Sequence, residues 1–91
     1  MNSRQDQTEE EFIMQLTKIY GPILPSRILW QLLGYSSPQA FRNARAKGVL
    51  PVPEFSIEGR RSRFALTADV AKWIYQLKTG KLNEDNKLNS L

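Results

Sequence analysis

The run from Leu32 to Gly48 constrains this chain more than any other segment. Ahead of it, Ile28, Leu29, Leu32 and Leu33 form an apolar helical stripe, which Gly34 stops. Ser37 followed by Pro38 then opens a second helix. Serine offers a side-chain acceptor to a free backbone N–H, and proline suits the first helical position because its missing N–H has no helical partner there. This helix runs to about Lys47, and Gly48 ends it. Two short helices joined across a glycine-centred turn have the layout of a helix-turn-helix.

The flanking segments extend that layout. Residues 1–7 are polar and read as a mobile N-terminus. Thr8-Glu9-Glu10-Glu11 is a capping box ahead of Phe12, Ile13, Leu16, Ile19 and Tyr20, which predicts an extra helix over 8–20, closed by Gly21-Pro22. Ile23-Leu24-Pro25 is extended, a candidate short strand, and Ser26 is read as the cap of the first helix of the motif, 26–34. After the second helix, 37–47, the prolines of Val49-Leu50-Pro51-Val52-Pro53 make a stiff extended linker. Period-2 alternation predicts a hairpin over 54–66, with Phe55 and Ile57 on one arm facing Phe64 and Leu66 on the other. Thr67 is read as the cap of a last helix, 67–79, with Asp69 in its first turn and Val70, Trp73, Ile74 and Leu77 as its apolar face. Residues 80–91 read as a flexible tail, their leucines too sparse for a core. The expected fold is mainly α with a small β-hairpin wing: a single winged helix-turn-helix domain over 8–79, with an extra N-terminal helix.

With 91 residues and neither cysteine nor histidine, the chain has no disulfide, no thiolate or imidazole metal ligand, and no histidine general base. No cofactor is expected. Its carboxylates fall mainly near the two ends, where capping and solubility account for them, and no phosphate loop or nucleotide-binding glycine fingerprint is present. Enzymatic activity is not expected. Nor is a signal peptide or membrane span, since no apolar run approaches the ~20 residues a membrane helix needs; the expected location is cytoplasmic, at the nucleoid.

The charge distribution points further. The net charge is +4. Residues 26–67 hold seven basic side chains (Arg27, Arg42, Arg45, Lys47, Arg60, Arg61, Arg63) against Glu54 and Glu58, a balance of +5, while residues 1–25 balance at −2 and 68–91 at +1. Positive charge concentrated on the motif and hairpin is the footprint of a polyanion binder. At 100° per residue, Ala40, Phe41 and Ala44 share the core side of helix 37–47, and Gln39, Arg42, Asn43 and Ala46 lie opposite. Arginine can grip guanine O6 and N7, asparagine and glutamine can grip adenine N6 and N7, and alanine admits a thymine methyl. Ser37, Arg45 and Lys47 are placed for phosphates on the groove walls. Arg60, Arg61, Ser62 and Arg63 at the hairpin tip are placed for the backbone or a narrow minor groove. The competing readings are a solvated polar helix face and an incidentally basic turn. Trp30, Trp73 and the phenylalanines suggest stacking platforms for single strands, but their spacing fits core positions better; Tyr35, at the turn, is the aromatic best placed to be half exposed.

Residues 23–77 resemble the AlpA-type regulators and phage excisionases, of the MerR-like winged-helix group. The matching pieces are Ile23-Leu24-Pro25-Ser26, Leu33-Gly34-Tyr35-Ser36, Lys47 to Pro53, Gly59-Arg60-Arg61-Ser62-Arg63 and Asp69 to Ile74. The chain departs from that family in carrying Phe64-Ala65 where a tryptophan is frequent, and in the extra helix 8–20. The resemblance implies a second helix in the major groove, a wing on the adjacent backbone, and a regulator carried by a phage, prophage or other mobile element.

The leading expectation is therefore a sequence-specific, double-stranded-DNA-binding transcriptional regulator. An excisionase-like architectural recombination factor that bends DNA is the first alternative, and a protein-interaction adaptor without DNA binding the second. About four to six phosphate contacts per protomer give a salt slope near −4 to −5. The stripe of 8–20 predicts either packing on its own domain or a homodimer contact, through that helix, through 67–79 or through both. A recombinase or RNA polymerase is a further expected partner.

Overall fold

Four helices and one three-stranded antiparallel sheet make up the described part, residues 7–80, of the computed structural model. In chain order they are α1 (Glu9–Tyr20), β1 (Ile23–Pro25), α2 (Ser26–Leu32), α3 (Pro38–Lys47), β2 (Phe55–Ser56), β3 (Arg63–Leu66) and α4 (Thr67–Lys78). The arrangement is consistent with a helix-turn-helix followed by a wing. Among the described residues no helix is long and apolar enough to cross a membrane. The N-terminus and the tail expected to be mobile lie outside the described residues, apart from Gln7 and Gly80.

Local chemistry sets most of the helix ends. Thr8 Oγ1 accepts the Glu11 N–H at 3.1 Å, and the Glu11 carboxylate accepts the Thr8 N–H at 3.0 Å, a complete capping box on α1. Ser37 Oγ accepts the Ala40 N–H at 3.1 Å and Pro38 takes the first helical position of α3. Gly48 closes α3 at φ +72°, a left-handed conformation that costs an L side chain roughly 1–2 kcal/mol. There the Gly48 and Val49 N–H groups return to the Arg45 and Ala44 carbonyls.

Two expected caps are corrected. Ser26 and Thr67 do not cap α2 and α4: the N-cap positions belong to Pro25 and Leu66, with no side-chain cap bond. Each helix starts directly at the end of a strand, so the last strand residue occupies the cap and the hydroxyl lies one position inside. The Thr67 hydroxyl, fully buried, donates instead to the Gly21 carbonyl, and the Thr67 N–H donates to the Pro22 carbonyl at 2.9 Å.

The hairpin pairing is also corrected. The sheet order is β1-β3-β2, so β3 is central. Phe55 lies opposite Phe64, with ring centroids 6.3 Å apart, but Leu66 lies opposite Ile23 of β1 and not opposite the first hairpin arm. Ala65 of β3 joins the core cluster opposite Leu24, both fully buried, and its neighbour Phe64 is buried as well. Ile57 falls just outside β2. Pairing with β1 fixes which face of β3 meets the helices, and alternation within the hairpin alone does not contain that information.

The core joins Leu24, Leu29, Leu33, Phe41, Val52, Ala65 and Val70, with Trp30, Tyr35 and Trp73 packed around it. Burying each large aliphatic side chain here contributes about 1.5–3 kcal/mol. Val52 reaches the core from the linker, which is why that stretch is tied to the domain. Helix α1 buries no residue completely and packs on α4, with Phe12 and Tyr75 rings 6.1 Å apart and the Lys78 ammonium 5.1 Å above Phe12. The Tyr75 hydroxyl donates to the Gln7 carbonyl at 2.9 Å, which holds a residue expected to be mobile.

Candidate nucleic-acid interface

Helix α3 buries Phe41 and Ala44 and turns Gln39, Arg42, Asn43 and Ala46 to solvent. The three polar side chains among these four are joined. Arg42 Nη2 donates to Gln39 Oε1 at 2.8 Å, and Gln39 Nε2 donates to Asn43 Oδ1 at 3.0 Å. Gln39 thus braces its two neighbours, whereas the Asn43 amide N–H groups and the other Arg42 donors lie outside this chain. In water such bonds are weak, but they bias three long side chains towards one arrangement and so reduce the ordering cost of engaging a ligand.

Arg45 and Ser62 are placed differently from the expectation. Arg45 does not stand on a groove wall as a free cation. Its Nε and Nη2 donate to the two Glu54 oxygens at 2.8 and 2.9 Å, and Nη2 also donates to Ser26 Oγ at 2.9 Å. Its guanidinium lies 4.9 Å from the Phe41 ring centroid. The hydrogen bonds from Glu54 hold the Arg45 pKa above its ordinary value, against partial desolvation that works the other way. The Glu54 side chain is only 5% exposed, so the counterion is an internal one. Ser26 is the hub: its hydroxyl donates to the Arg63 carbonyl at 3.1 Å and its N–H donates to Ser62 Oγ at 3.4 Å. Ser62 therefore faces the base of the hairpin and not its tip.

The remaining expected residues keep their outward places. Lys47 is exposed in the last turn of α3. Arg60, Arg61 and Arg63 are exposed, with the Arg60 guanidinium 5.8 Å from the Phe64 ring centroid. Ser37 accepts the capping N–H of Ala40, and its O–H stays available as a donor. Tyr35 is half-buried, edge-on to Phe41 at 5.8 Å, and serves the core.

An open groove of about 350 Å³ runs between α2, α3 and the hairpin base, lined by Arg27, Trp30, Pro38, Arg42, Arg45 and Ser62 among others. Arg27 is the functional candidate that sequence reasoning missed. It counted towards the charge of the region without a role of its own. One signal was available: Arg27 is a cation in the first turn of a helix that has no acidic residue there, where the helix dipole disfavours positive charge. Arg42 and Arg45 of α3, Arg27 of α2 and Ser62 of the hairpin base meet at this groove, whose lining also includes Trp30, Pro38 and Phe41. Comparison with known proteins gives no matching family model, no similar curated protein and no similar solved structure.

Proposed function

We propose that the chain is a winged helix-turn-helix that binds double-stranded DNA sequence-specifically and regulates transcription, in a phage or other mobile element as the AlpA and excisionase resemblance implies. The observation that carries this reading is the braced, exposed Arg42–Gln39–Asn43 chain on α3 beside a groove with Arg27 on its edge. In the major groove, Arg42 meets guanine O6 and N7 and Asn43 meets adenine, while Ala46 leaves room for a thymine methyl. Gln39 acts first as a brace. Arg27, Lys47, Arg61 and Arg63 take phosphates, and Arg60 does so from its place over Phe64. Arg45 is a positioning residue, since its guanidinium is committed to Glu54.

The experiment is a fluorescence titration with random duplex DNA at two salt concentrations, with Arg42→Ala and Arg61→Ala in parallel. Tight binding that weakens steeply with salt and is reduced in both variants supports the reading. No binding of the unaltered chain at low salt refutes it.

A further inference from the structure

The sheet has an outer face that the described residues cover only in part, its edges at Leu66 and Phe55 remaining exposed. Ala65 of β3 turns to the helices, and on the other side of the strand Phe64 is covered to 5% exposure while Leu66 is left exposed. Their cross-strand partners Phe55, Pro25 and Ile23 share that outer face. Leu66 is 44% exposed and Phe55 36%. On this side of the hairpin an open groove of about 380 Å³ has Ile23, Pro25 and Phe64 along its floor and Arg27, Arg60 and Arg61 among its other lining residues, with no carboxylate lining it. The Arg60 guanidinium stacks near Phe64, which holds its charge at the rim.

A phosphate backbone satisfies the rim but offers nothing apolar to cover the floor. An extended acidic peptide satisfies both: its alternate apolar side chains enter the floor and its carboxylates meet the guanidiniums. We propose that this outer sheet face docks an acidic peptide segment, bearing apolar side chains, of a partner protein. The proposal goes beyond base reading by α3 and does not depend on it. Arg27, Arg60 and Arg61 are shared with the DNA reading, but Leu66, opposite Ile23 at the edge of the groove and not in its lining, has no part in that reading and is the discriminating position.

The test selects random 12-residue peptides displayed on phage against the full chain, then titrates the enriched peptides by ¹⁵N–¹H NMR. Enriched peptides should combine Asp or Glu with Leu, Ile, Phe or Trp, and should shift Ile23, Arg60, Phe64 and Leu66 while leaving Gln39 and Asn43 in place. Leu66→Asp should weaken peptide binding at least tenfold and leave duplex binding within twofold. The substitution is compatible with folding, because Leu66 is the N-cap of α4, where aspartate is favoured. Phe55→Ser, on the other edge of the face, should also weaken the peptide. The proposal is overturned by failure to enrich acidic peptides, by peptides that map to α3, or by duplex DNA that moves Leu66 and Ile23 as far as Asn43. Concentration-dependent shifts of the same face without peptide would assign it to a second copy of the chain, and overturn it equally.

Discussion

The Arg45–Glu54 pair should be strongly asymmetric towards truncation. In Arg45→Ala the Glu54 carboxylate, 5% exposed, loses both guanidinium bonds and keeps at best the Ser26 hydroxyl at 3.5 Å. Orphaning a buried charge in this way costs about 3–5 kcal/mol; because Glu54 lies between elements, where the backbone can yield, about 3 kcal/mol is expected. In Glu54→Ala the Arg45 side chain, 29% exposed, keeps Ser26 and the Phe41 ring and can turn towards water, so the loss should be about 1–1.5 kcal/mol. The double variant leaves no orphan and should be about as stable as Glu54→Ala alone, a coupling of about 3 kcal/mol. Urea unfolding of the four proteins measures this, and Tm should fall by roughly 12–24 °C for Arg45→Ala at ~4–8 °C per kcal/mol. Arg45→Met separates lost charge from lost packing on Phe41. Folding raises the Arg45 pKa, so the contribution from protonating this arginine is present below the pKa of the unfolded arginine and is lost as strong alkali deprotonates it. Equal losses in the two single variants, or a coupling below about 0.5 kcal/mol, would refute the reasoning.

Three further outcomes are expected. With Arg45 held by Glu54, about three to five phosphate contacts remain per protomer, so log Kobs against log salt should have a slope of about −3 to −4, and Arg45→Met should change that slope by less than one; a fluorescence titration across salt concentrations reads both. Asn43→Ala should cost about 1–3 kcal/mol on a selected site and little on random duplex, whereas Arg61→Ala should weaken both alike, as parallel titrations will show. Thr67→Val keeps the shape of a fully buried side chain but leaves the Gly21 carbonyl without this hydroxyl donor, and thermal denaturation should register about 1–2 kcal/mol of lost stability.

Elements whose signals are local were legible from the residues alone. The Thr8 capping box, the Ser37-Pro38 start and the Gly48 stop each depend on atoms within a turn of one another, and all three form as read. The exposed face of α3 follows from periodicity over a single helix and is likewise as read. What failed depends on contacts distant in sequence. Ser26 and Thr67 look like caps until β1 and β3 are seen to run directly into α2 and α4. Leu66 reads as facing the first hairpin arm until Ile23, over forty positions earlier, is found opposite it. Arg27 gains its place only because α2 sets it between two grooves, one on each side of the hairpin base.

The same distinction governs how α3 and the hairpin are held together. A domain this small has little apolar surface to spare for fixing a projecting hairpin. Polar groups make that connection: Glu54 from just ahead of β2, Arg45 from α3, Ser26 from α2 and the Arg63 carbonyl from β3 meet in one cluster. Among the described residues no buried side-chain nitrogen or oxygen lacks a partner. A satisfied polar cluster adds little net stability over well-packed apolar groups, but it penalises displaced arrangements, because any shift of the hairpin strands a charge. On the proposed function, Arg45 would serve DNA binding by setting the distance between α3 and the hairpin. A variant with Arg45 and Glu54 both replaced by apolar residues should therefore fold, keep its affinity for random duplex and lose discrimination between sites.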